Sequence, residues 1–184
     1  FLLAQAMRAA GRTEEALEPA AKARDYFQQQ TQQDPSMAEH RRGWAFAEQL
    51  LGNHQQAVQV LAGGLDSDDA ETFHQSLVDV YINWHNAEVR SGRATLAWQL
   101  ELLTQALVHG PEDPRLLTLL AKLAVQDWEH SDKALATLKE LVARGVAPAT
   151  VHLIIGTQSL KEGDYEDAKT HLQLANDRNP DTPT

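Results

Sequence analysis

The chain contains no cysteine among its 184 residues. That excludes disulfides, thiol catalysis and cysteine-bound metal, and leaves the compartment open. Aromatic residues make up only 6% of the total. No stretch approaches the roughly 18 uncharged apolar residues that a membrane helix needs, so no membrane insertion is expected. Basic residues are the minority, 16 against 26 acidic, for a net charge of −10. A surface of that sign does not favour phosphate backbones, and no nucleic-acid partner is expected. The sequence has neither a glycine-rich lysine loop nor a Gly-x-Ser-x-Gly elbow. The histidines (His40, His54, His74, His85, His109, His130, His152 and His171) include no pair at the helical spacing of a metal frame. They are expected to be scattered imidazoles. Asp66-Ser67-Asp68-Asp69 starts like a calcium loop, but Ala70 and Glu71 stand where a ligand and the turn glycine belong. Asp68 or Asp69 is expected instead to cap a helix. The chain is therefore expected to hold no metal or cofactor and to be no enzyme.

What the sequence has is helical periodicity. Hydrophobic residues make up 42%, and alanine and leucine carry most of the pattern. Residues 149–180 read as one helical hairpin. Val151, Ile154, Ile155 and Leu160 recur at helical spacing. Gly163 suits the left-handed residue that ends a helix, and Asp164 suits the cap of the next. Tyr165, Ala168, Leu172 and Ala175 form the second run, and Asn179-Pro180 stops it. Gly156 and Ala168 are small, which lets the two helices approach closely. On Ile155, Gly156, Gly163, Tyr165, Ala168, Leu172, Ala175 and Pro180 this stretch resembles a tetratricopeptide repeat, a unit of roughly 34 residues. Ser159 departs from the large aromatic usual late in the first helix.

A lone hairpin cannot bury its apolar face, so further units are expected. Gly11, Ala16, Ala20 and Ala23 repeat the turn glycine and small-residue spacing, as do Gly52, Ala57, Leu61 and Gly64. Leu117, Leu120 and Ala121, then Ala134, Leu138 and Leu141, form another unit. The least regular runs through Phe73, Leu77, Val80, Tyr81 and Trp84, then Leu96, Leu100 and Leu103. The resemblance thus implies an all-α, right-handed α-solenoid of about five antiparallel hairpins, a tetratricopeptide-like superhelix. It covers 1–184 as one repeat domain, in units near 1–35, 36–69, 70–111, 112–148 and 149–180.

Two helices are expected to be long: the second of the first unit, reaching Asp34-Pro35, and one from about 70 to 89. Thr13 is expected to cap the former and Pro19 to kink it. Leu2-Leu3-Ala4 fits a first helix better than a signal peptide, which leans toward a cytoplasmic location. The chain is expected to be a segment of a longer array and to self-associate through uncapped ends.

In the tetratricopeptide family the first helices line a concave groove that holds a peptide or helix of a partner. The resemblance implies such a groove at Arg42, Phe46, Gln49, Gln75, Asp79, Asn83, Thr118 and Lys122, which lie opposite the apolar stripes. Phe46 is expected to be an exposed anchor for the partner. The function implied is a non-catalytic protein–protein interaction scaffold. One alternative is a structural spacer within a larger repeat protein, and another a non-catalytic domain appended to an enzyme. A further one is an RNA-binding pentatricopeptide-like array, which Leu141–Pro148 also resembles. Only that junction carries the second pattern, and the acidic balance opposes it.

Overall fold

The computed structural model describes residues 2–124 and 132–178. Among these residues the chain is all-helical, with ten helices and no strand. They are α1 (Leu2–Ala9), α2 (Leu17–Gln33), α3 (Ala38–Leu50), α4 (His54–Ala62) and α5 (Ala70–Arg90). Then follow α6 (Leu96–Leu107), α7 (Pro114–Ala124), α8 (Asp132–Ala143), α9 (Ala149–Glu162) and α10 (Tyr165–Arg178). The expected stop at Asn179-Pro180 lies outside the described residues. The helices form two compact units, Phe1–Trp84 and His85–Thr184, and the boundary falls inside α5.

The turn chemistry is local and legible. Gly163 has φ +83 and ends α9 in the left-handed region, where any side chain would be strained. Its N–H bonds Leu160 O and the next N–H, of Asp164, bonds Ser159 O at 2.9 Å. Two orphan carbonyls are thereby satisfied in the Schellman arrangement. The same pair of bonds closes α1, α3, α5 and α8, at Gly11, Gly52, Gly92 and Gly145. The first three of these glycines recur at intervals of about forty residues, longer than a 34-residue unit, because α2 and α5 are long. Asp164 then starts α10, accepting from Asp167 N through Oδ1 at 3.2 Å. Asp69 stands before α5 and its carbonyl accepts from Phe73 N.

One expectation is corrected at α2. Thr13 does not cap it. Residues 13–16 form a turn, and the helix begins after Ala16, which has helical dihedrals and makes no side-chain cap bond. Pro19 is therefore the third helical residue. Its missing N–H is one of the four that lack an intrahelical partner anyway. The loss of an interior hydrogen bond, and with it the reason for a kink, does not arise.

The two units pack with different side chains. In the first, α2 lies against α1 and α3, and α3 also against α1 and α4. Its core is rich in alanine: Ala4, Ala16, Ala20, Ala23, Ala45, Ala47 and Ala57 are all buried. Small faces bring backbones close, and aromatic rings then cover glycines. A methyl group at Gly43 would meet the Phe27 ring at 2.6 Å, and one at Gly64 would meet the Phe73 ring at 2.5 Å. The second unit buries larger residues, among them Leu100, Leu103, Leu107, Leu116, Leu120, Leu138, Ile154 and Ile155. There α7 touches α6 and α9, α8 also touches α6 and α9, and α10 lies along α9.

Candidate functional site

The candidate docking residues of the sequence lie on α3, α5 and α7. In the first unit the structure brings several together. Arg42 Nε donates to Ser76 Oγ at 3.1 Å, and Asn83 Nδ2 donates to Gln49 Oε1 at 3.0 Å. Each bond spans 34 residues. Both residues advance by two helical turns from one bond to the next, so α3 and α5 run side by side in the same direction. Gln75, Asp79 and Asn83 share one exposed face of α5. Gln75 donates to Glu71, one turn earlier on the same helix, at 3.4 Å. Thr118 and Lys122 belong to the second unit, exposed on α7. The Thr118 hydroxyl donates back to Pro114 O at 2.7 Å.

Phe46 does not stand out as a bare anchor. It is half-buried and packs against a small cluster of Ala4, Ala20 and Leu50. Ala4 of α1 and Ala20 of α2 are small, and the ring on α3 packs over them. Phe46→Ala should therefore cost about 2 kcal/mol of stability, below the 3–5 of a fully buried phenylalanine. Urea denaturation measures it, and an unchanged midpoint would return Phe46 to the role of a surface anchor.

The opposite side of α3 holds an open cleft of about 820 Å³, which the sequence did not announce. Trp44 and Glu48 come from α3, Arg24 and Gln28 from α2, and Trp84 from α5. The start of α4 supplies the other wall. Glu48 is 5% exposed, yet both carboxylate oxygens are engaged. Trp44 Nε1 donates to one at 3.0 Å and Asn53 Nδ2 to the other at 2.8 Å. Asn53 precedes α4 but makes no cap bond with its side chain, because its amide is turned to Glu48. The carboxylate thus sits beside the positive end of α4. The His54 ring stacks on Trp84, with centroids 6.0 Å apart and planes within 11°.

In the second unit α9 and α10 join four polar side chains. His152, 2% exposed, meets His171 with Nδ1 to Nδ1 at 2.9 Å. His171 Nε2 lies 3.6 Å from Asp167 Oδ1. Ser159 Oγ donates to Asp167 Oδ2 at 2.6 Å. Ser159 on α9 and Asp167 on α10 are thus linked by a hydrogen bond across the two helices. His152 Nε2 is buried and has no hydrogen-bond partner. An orphaned N–H costs more than an orphaned lone pair, so this nitrogen is the unprotonated one. His152 Nδ1–H then donates to His171 Nδ1, and His171 Nε2–H faces Asp167. Burial, followed by the charges of Arg178 and His171, lowers the His152 pKa from its ordinary 6.5 to about 4. The arrangement does not assemble a nucleophile. The Ser159 hydroxyl is committed to a carboxylate, and no imidazole is bonded to it. The sequence expectation of scattered imidazoles is corrected here for this pair. Antiparallel register was the available signal: a turn at 163–164 sets 159 near 167 and 152 near 175, and 171 lies one helical turn from 175 on the same face.

Compared with protein-family models and with curated proteins, the chain matches none.

Proposed function

We propose that the chain is a non-catalytic protein-interaction scaffold, a right-handed tetratricopeptide-like solenoid of five hairpins that holds an extended peptide or short helix of a partner. The observation that carries this reading is the 34-residue register of the two bonds between α3 and α5. It is the offset at which first helices of successive repeats lie side by side in that family. The neighbour pattern supports stacking within each unit. First helices touch first helices in α1 with α3 and in α7 with α9, and second helices touch in α6 with α8. The docking face we assign is Arg42, Gln49, Gln75, Asp79 and Asn83 in the first unit. Their amides suit backbone groups of a peptide, and the acidic chain favours neutral or basic partners.

A random peptide library displayed on phage and selected on the chain tests this. Selected peptides should lose at least tenfold in affinity for the variant carrying Asp79→Lys and Asn83→Lys, about 1.4 kcal/mol. Both positions are exposed, so the melting temperature should hold. Equal binding to both proteins, or no selected peptide, overturns the assignment.

A further inference from the structure

The cleft behind α3 is not part of the docking face. Trp44 follows Arg42 by two residues, which turns it by about 200° around the helix axis. We propose that this cleft is a second binding site, for a neutral, extended, proline-containing peptide.

The charges of the cleft come first. Its one carboxylate, Glu48, is buried with both oxygens engaged and already complements the start of α4. Arg24 shares its charge with Asp25, through two bonds of 2.8 and 2.7 Å. An anionic group entering at α4 would meet Glu48, so neither phosphate nor a free carboxylate is favoured there. A cation would find no open carboxylate. The ligand is therefore uncharged.

The second argument is what the walls present. Gln55, Gln56 and Gln59 are exposed along α4, and Gln28 of α2 also lines the cleft. A primary amide donates through its NH2 group, and so suits the carbonyls of a proline-containing segment, which have no N–H of their own beside them. Two half-buried indoles, Trp44 and Trp84, also line the cleft, and the His54 ring stacks on Trp84. The Trp44 N–H is turned to Glu48, which leaves the apolar part of that ring for the ligand. Aromatic grooves of this kind take proline-rich segments, whose preformed extended helix loses little entropy on binding. A saccharide would also use ring faces and amides. A carboxylate that accepts from sugar hydroxyls would favour it further, and Glu48 has both oxygens engaged already.

The test uses the full chain and a fluorescein-labelled ten-residue polyproline peptide, followed by polarisation. A Gly-Ser peptide of equal length is the control and an uncharged oligosaccharide is the competitor. Binding should exceed the control. Gln56→Ala and Gln59→Ala should each weaken it by about fivefold, the worth of one hydrogen bond. Both side chains are exposed, so these variants should keep the wild-type melting temperature. The Asp79→Lys, Asn83→Lys variant should bind the polyproline peptide unchanged, so either site can fail without the other. Polyproline binding no better than the control, or unaltered in both glutamine variants, overturns the proposal. So does displacement by the oligosaccharide, which would make the cleft a sugar site.

Discussion

Gly156→Val should cost about 3 kcal/mol, the upper end of what an overpacked core loses. Gly156 is mid-helix in α9 and faces α10. A methyl group placed there would lie 2.8 Å from Leu172 Cγ, 3.0 Å from its Cδ2 and 3.1 Å from its backbone N. The side-chain atoms could shift, but the backbone nitrogen belongs to α10 and cannot move without the helix. Even Gly156→Ala should destabilise. Glycine inside a helix costs up to about 1 kcal/mol relative to alanine, so propensity alone predicts a gain. The 3.1 Å approach to backbone is expected to outweigh it. Denaturant unfolding of both variants gives the order wild type, alanine, valine. An alanine variant more stable than wild type would show that α9 and α10 are further apart than the 3.1 Å approach requires.

That contact was legible from sequence because it rests on two small residues flanking a local turn. Gly163, Asp164, Gly156 and Ala168 each carry their own signal, and Ala168 is 2% exposed as expected. The helix count and the two long helices follow for the same reason, since caps and periodicity are short-range. Side chains that meet across helices were harder to read. Periodicity puts Phe46 on an outer face because it allots α3 a single buried stripe. α3 packs against α1, α2 and α4 and bonds to α5, so little of its circumference is left outside. Glu48 carries no signal of its burial in its sequence neighbours, because the amide of Asn53 that completes its pairing comes from the start of α4. His152 and His171 are 19 residues apart and share no local motif. Their meeting depends on the hairpin register, a consequence of the turn rather than of either residue.

The same hairpin should be labile to acid. Two imidazoles with Nδ1 atoms 2.9 Å apart can hold one proton between them, and not two. A second proton would set N–H against N–H. The orphaned His152 Nε2 is the other place a proton could go, and it is buried. Both facts accord with the lowered His152 pKa, about 4 in place of the ordinary 6.5. The sign follows from linkage. Between pH 4 and 6.5 the unfolded chain binds a proton at His152 that the folded chain does not. Stability contributed by the neutral imidazole is therefore complete above pH 6.5 and is lost as pH falls toward 4. The shift corresponds to about 3 kcal/mol at most. Other groups also contribute to the pH dependence of folding, so wild type alone is not decisive. The informative quantity is the difference between wild type and His152→Leu, which keeps the apolar volume and removes the titration. Urea unfolding at pH 7.5 and at pH 4.5 should show the wild type losing about 2 kcal/mol more than the variant over that interval. Equal losses would mean that the imidazole protonates in the folded hairpin without cost, and the buried pair as described would be wrong.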